Sequence, residues 1–124
     1  MDKANRKMSG FEDLEVWKKS CRLTIQIYQV FGQCKDFSFK DQVQRSALSV
    51  PSNIAEGYER NSPKDFIRFL NIAQGSIGEL RTQLYIAREI SYLKNDLTVE
   101  LLNKSKEISA MLSGLKKSIK KKIK

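Results

Sequence analysis

Seven apolar residues, Phe66, Leu70, Ala73, Ile77, Leu80, Leu84 and Ala87, recur at alternating steps of four and three. That period places all of them on one stripe of an α-helix, whereas the period of two in a strand would divide them between opposite faces. A seam this regular is covered most simply by another helix laid nearly antiparallel to it. The segment Ser62-Pro63-Lys64-Asp65 supplies its start: Ser62 caps, Pro63 takes the first helical position, and Asp65 sits in the first turn against the helix dipole. A helix of roughly 25 residues follows, on the order of 37 Å long at ~1.5 Å per residue.

The rest of the chain carries the same kind of pattern. A first helix starts either at Ser9, with Glu12 three residues on, or at Asp13, and runs to about Phe31, where Gly32 ends it. It has one row of Leu14, Trp17, Cys21, Thr24, Tyr28 and Phe31 and a second of Val16, Leu23, Ile27 and Val30, so it meets more than one neighbour. Ser38 with Asp41 opens a second helix, whose buried face is Val43, Ala47, Val50 and Ile54. Pro51 removes a backbone donor inside it and crowds the preceding turn, so this helix is expected to kink between Ala47 and Pro51 rather than break, because the periodicity continues to Tyr58. Asn95 to Thr98 offers caps for a fourth helix along Leu101, Ile108, Leu112, Leu115 and Ile119.

Four helices with short connections predict an all-α, antiparallel up-down-up-down four-helix bundle. We expect a flexible N-terminus at 1–10, the bundle at 11–119 and a basic C-terminal tail at 120–124. No apolar run approaches the ~20 residues of a membrane span, and the first ten residues hold no apolar signal core, so a cytoplasmic protein with no membrane partner is expected. Cys21 and Cys34 are then reduced thiols. The chain has no histidine, which excludes Ser-His and Cys-His catalytic pairs and the common His-containing metal sites. Asp41, Glu56 and Glu79 are the nearest approach to a magnesium site, and each has a simpler role as cap or ion-pair partner. No catalytic residue, metal site or cofactor is expected.

The formal charge is +9, and Lys116, Lys117, Lys120, Lys121, Lys122 and Lys124 hold six of those charges with no acid among them, leaving +3 elsewhere. Such a concentration suits a polyanion and predicts sequence-independent, salt-sensitive binding to nucleic acid, helped by Arg60, Lys64 and Arg68. The competing reading is a solubilising, frayed helix end whose lysines complement the helix dipole.

A polar row also runs along each central helix: Gln42, Arg45, Ser49, Asn53 and Glu56 on one, and Arg68, Asn71, Gly75, Glu79 and Thr82 on the other. Antiparallel neighbours keep a constant index sum, and a sum of 124 pairs Arg45 with Glu79, Glu56 with Arg68 and Ser49 with Gly75. Gly75 and Gly78 each cost about 1 kcal/mol relative to alanine in a helix, for which a close backbone approach would compensate. The stripe is expected either as solvated charge or as a surface buried by another subunit.

Gln42 to Gly57 reads QVQRSALSVPSNIAEG, and this resembles the signature of the 23S rRNA intervening-sequence protein family, also called four helix bundle proteins. Phe11, Leu14, Val16 and Trp17 resemble its opening FxDLxVW segment. Phe66 to Ala73 with Gly75-Ser76-Ile77-Gly78-Glu79-Leu80 resembles its FLxIAxGSxxEL segment, and MLSGL at Met111 to Leu115 its closing helix. The resemblance spans Phe11 to Ile119. It implies an antiparallel four-helix bundle assembling into a homopentamer, with no known enzymatic activity. Related bundles accompany reverse transcriptases in diversity-generating retroelements, where a basic pentamer brings enzyme and nucleic acid together. Two functions follow as expectations: an oligomeric scaffold for RNA or DNA, or an adaptor that docks another protein such as a reverse transcriptase.

Overall fold

The computed structural model describes residues 10–123. The Ser9 cap, Lys124 and all of the expected flexible N-terminus except Gly10 lie outside the described residues. A 3-10 turn at Phe11–Asp13 leads into four helices, α1 (Glu15–Val30), α2 (Phe37–Glu59), α3 (Pro63–Glu89) and α4 (Asn95–Lys122), with no strand among the described residues. The molecule is an all-α four-helix bundle. Each helix packs on the next in the chain and α4 closes onto α1, while the backbones of the diagonal pairs, α1 with α3 and α2 with α4, stay more than 8 Å apart across the shared core.

The apolar periods fill the centre as the sequence predicts. Leu70, Ala73, Ile77, Leu80, Leu84 and Ala87 from α3 are buried, as are Val43, Ala47, Val50 and Ile54 from α2, with Leu101, Ile108 and Leu112 from α4. In α1 it is chiefly the second row, with Val16, Leu23 and Ile27, that faces the core, together with Thr24 and Phe31; Tyr28 is exposed. Cys21 and Cys34 are free and half-buried, and burial pushes the Cys21 thiol above its ordinary pKa.

Side-chain caps close the starts of α2 and α3; α1 starts at Glu15 behind Leu14 with no side-chain cap, so the expected Asp13 cap is incorrect. The Ser62 hydroxyl accepts from the Asp65 N–H at 3.3 Å with Pro63 in the first turn, so α3 starts as expected. Asn61, the residue before it, takes φ 57 in the three-residue turn from α2, a left-handed conformation that asparagine tolerates. For α2 the expected Ser38 cap is incorrect. Asp36 caps instead, its Oδ1 accepting from the Phe39 N–H at 3.1 Å, and the helix starts at Phe37. α2 is a single helix with Pro51 buried inside it. α4 starts after Lys94 with no side-chain cap, and continues to Lys122.

Pairs of contacts fix the registers. Ser46 reaches Glu79 and Ser49 reaches Ser76, so α2 and α3 pair at a constant index sum of 125. Across α1 and α4, Lys19 pairs with Glu107 at 3.2 Å, and Gln26 donates to Glu100 at 2.7 Å; both pairs add to 126. α1 has 16 residues against 28 in α4. The first residue of α1, Glu15, therefore stands level with Met111, and the last eleven residues of α4, about 16 Å at ~1.5 Å per residue, extend past it.

The close backbone approach expected at Gly75 and Gly78 is not there: a Cβ added at either would meet nothing within 4 Å. It occurs at Gly57. A Cβ on Gly57 would lie 2.6 Å from the Phe69 Cβ and 3.1 Å from the Phe66 Cδ1. The reason is the register. α2 leans on the Ser76 side of α3, and Gly75, one residue or ~100° around the helix, is turned outward.

At the opposite end from the Asn61 turn, the Tyr92 hydroxyl donates to Asp36 Oδ2 at 2.7 Å and its ring meets Phe39 edge-on at 5.4 Å. This contact joins the α1–α2 connection to the α3–α4 connection. The hydrogen bond from Tyr92 holds the Asp36 carboxyl below the ordinary carboxylate pKa, helped by the Phe39 N–H, and raises the Tyr92 hydroxyl above its own.

Gly57→Ala is expected to destabilise the fold by about 1–3 kcal/mol through overpacking, and Gly114→Ala on the open face of α4 to stabilise it by about 0.5–1 kcal/mol; denaturant melts of both variants check this. Asp36 has a lowered folded pKa, so its contribution is present above the unfolded carboxylate value and is lost as pH falls through the folded one. The difference in melting temperature between wild type and Tyr92→Phe should accordingly shrink in acid. Tyr92 titrates with the opposite sign, its contribution persisting below the unfolded tyrosine value and fading as pH rises through the raised one.

Candidate nucleic-acid interface

The C-terminal lysines lie on regular helix. Lys116, Lys117, Lys120, Lys121 and Lys122 all belong to α4, and the last three sit in its final turn, where positive charge complements the helix dipole. Lys116 donates to the Asn71 Oδ1 of α3 at 2.8 Å. This contact fastens the start of the lysine segment to the side of the bundle. Lys117, Lys120, Lys121 and Lys122 are exposed.

The expected helpers come to the same end. Arg60 follows the last residue of α2, Lys64 is in the first turn of α3, and Arg68 lies one turn further on. Arg60 and Arg68 flank one ring, their guanidinium carbons 5.0 and 4.6 Å from the Phe69 centroid, so each combines a cation–π contact with charge. Both arginines also have carboxylate partners, Glu56 at 3.1 Å from Arg60 and Asp65 at 3.7 Å from Arg68. Lys64, Lys117, Lys120, Lys121 and Lys122 have no ion-pair partner among the described residues. Of the expected site residues, those whose charge is most available to an outside anion are therefore these lysines.

Between the α2–α3 turn and the overhanging end of α4 lies a cleft of about 340 Å³, lined by Tyr58, Asn61, Ser62, Pro63, Phe66, Ile119 and Lys122. Tyr58 and Phe66 meet nearly perpendicular, with centroids 5.8 Å apart, an edge-to-face arrangement that leaves ring surface for a further contact.

The polar stripe takes a different form from the one expected. Arg45 pairs with Asp41 in its own helix at 2.9 Å, and Glu56 with Arg60, so the cross-helix pairs Arg45–Glu79 and Glu56–Arg68 are not formed. Partners four residues apart on one helix are already neighbours, whereas bridging the groove would order two long exposed side chains for ~0–1 kcal/mol. Small groups make the actual seam. The Ser49 and Ser76 hydroxyls share a hydrogen bond at 2.8 Å, Asn53 Nδ2 donates to Ser49 Oγ at 2.9 Å, and Ser46 Oγ contacts Glu79 Oε1 at 3.3 Å. Gln42, Arg45, Ser49 and Glu79 line a shallow groove on the outer α2/α3 face, along with Leu48 and Ser52. Gly75 is exposed on α3, and Leu48, Ile72 and Ile86 are large apolar side chains left in solvent.

Ser46, Ser76, Gly57 and Phe69 are structurally central residues that the sequence reading did not single out. For Gly57 a signal existed: Val43, Ala47, Val50, Ile54 and Gly57 continue the four-three series, which places the glycine at a core position. Among the described residues no three His, Cys, Asp or Glu side chains gather as a metal site requires. No helix among them is long and apolar enough to cross a membrane.

The family profile described as 23S rRNA-intervening sequence protein matches residues 12–114. A crystal structure from Bacteroides thetaiotaomicron, described as a protein of unknown function from the S23 ribosomal protein family, superposes with a TM-score of 0.77 at 29% identity. The similarity covers 82% of this chain and 98% of that one. No curated protein matches. All six C-terminal lysines lie beyond the matched segment, so whatever they do is argued from their own placement.

The observed register makes a direct prediction. Reversing Arg45 and Glu79 singly and together should give a double-mutant coupling near zero. The Ser49→Ala and Ser76→Ala cycle should give about 0.5–1.5 kcal/mol, read from chemical denaturation.

Proposed function

Because the chain belongs to the 23S rRNA-intervening sequence protein family, we propose that it is a non-enzymatic, cytoplasmic, oligomeric scaffold that holds nucleic acid on a lysine-bearing end. The observation that carries this reading is the gathering of Lys64, Lys117, Lys120, Lys121 and Lys122 around the α2–α3 turn and the end of α4, without ion-pair partners. Exposed lysines of this kind bind phosphates by displacing counterions. The affinity is indifferent to sequence and falls steeply with salt. The carboxylates considered for a magnesium site are occupied otherwise, Asp41 by Arg45, Glu56 by Arg60 and Glu79 by Ser46, which favours binding over catalysis.

Self-association, with a homopentamer as the favoured form, would use the outer α2/α3 face. There the open Gly75 and the shallow groove beside Ser49 and Ser52 leave room for a neighbouring side chain, with Leu48, Ile72 and Ile86 as apolar surface to cover. Five copies would bring five sets of six C-terminal lysines onto one particle, and linked weak sites reinforce one another by raising effective concentration. The same apolar face supports a second reading, an adaptor that docks a different protein such as a reverse transcriptase. Nuclease-resistant co-purification with a protein partner would favour that adaptor.

Replacing Lys117, Lys120, Lys121 and Lys122 with Gln leaves Ile119 in place, so the variant is expected to keep its helical content and native mass. It should lose most of its affinity for RNA and DNA, and each phosphate contact removed should reduce the slope of log K against log salt by ~0.7–0.9. Unchanged affinity and slope would remove the lysines from the function.

A further inference from the structure

We propose that the cleft between the α2–α3 turn and the end of α4 is a subsite for one unstacked nucleobase, so that the nucleic acid held at this end is single-stranded. The inference rests on the nucleic-acid reading given above and narrows it to a ligand class. Its first support is the lining. Tyr58 and Phe66 form one wall, Pro63 and Ile119 add apolar surface, and all four are at least partly accessible. Aromatic rings of this kind hold bases by stacking irrespective of sequence. At about 340 Å³ the cleft is at the small end of ligand sites, a size that suits one planar group better than an amphipathic helix.

The second support is chemical. Asn61 borders the cleft, and its carboxamide, which has no hydrogen-bond partner among the described residues, offers both a donor and an acceptor to a base edge. Lys122 lines the cleft itself, and Lys64 lies in the first turn of α3 beside the cleft residue Pro63, so a phosphate next to an inserted base would meet an unpaired cation. Among the described residues no carboxylate lines the cleft. In a duplex the bases are stacked inside and only the backbone reaches such a surface; a single strand can splay a base into it.

The test uses the full chain and two probes, an oligothymidylate of about twelve nucleotides and a duplex of the same length, at one salt concentration. We expect the single strand to bind more tightly. Tyr58→Leu should weaken it by about tenfold while leaving duplex affinity and the salt slope unchanged. With the wild-type chain, a 5-iodouracil placed in the single strand should photo-cross-link to Tyr58 or Phe66, a result that does not depend on how any variant folds. Equal affinity for both probes with no response to Tyr58→Leu, or cross-links confined to other parts of the surface, would overturn the base subsite and leave the lysine scaffold standing. Failure of both probes to bind at any salt concentration would overturn the scaffold and the subsite together.

Discussion

The helix pair α2/α3 depends on Gly57, where a Cβ would lie 2.6 Å from the Phe69 Cβ and 3.1 Å from the Phe66 ring. A side chain at Gly57 would hold α2 and α3 apart at the end where they turn back on one another. Its absence lets Phe69 sink against α2, where the ring can receive Arg60 from one helix and Arg68 from the other. Further along, Ser49 and Ser76 keep the helices close with small groups that satisfy each other's hydrogen-bonding needs. Overpacking at a single methyl would be felt throughout this seam, because interiors are packed as tightly as organic crystals.

The apolar period made the four helices and most of the core readable from sequence. Val43 to Ile54 and Leu70 to Ala87 occupy the positions their spacing assigns. The register was not readable to the same degree. Matching Arg45 to Glu79 relied on long charged side chains, whose pairing across a solvated groove is weak, and it missed by one residue. Glycines showed the same division. Gly57 falls on the four-three series of α2 and is crowded, whereas Gly75 and Gly78 fall off that of α3 and are open. The Asp36 cap and its bond to Tyr92 depend on two connections meeting in space, which local patterning does not report.

The candidate site was half legible. The lysine run is obvious as composition, but its position beside the α2–α3 turn follows from the lengths of α1 and α4 and from the α3–α4 packing, in which Lys116 meets Asn71. The sequence also gave no reason to join Tyr58, Phe66 and Ile119 into one cleft, since their apolar character alone reads as core. The charge pattern separates two kinds of cation. Arg45, Arg60, Arg68 and Lys104 are held by carboxylates three or four residues away, while Lys117, Lys120, Lys121 and Lys122 are left to the solvent.

The Asp36–Tyr92 contact makes the two ends of the bundle mechanically unequal. It ties together two chain connections that are 56 residues apart, so the ends of four helices share one exposed contact. The other end carries the α2–α3 turn, the 3-10 turn before α1 and the last turns of α4. Opening fluctuations are cheapest where few tertiary contacts must be broken, and surfaces that reshape around a partner are drawn from such regions. The unpaired lysines thus sit at the end of the bundle opposite the one that this contact ties together.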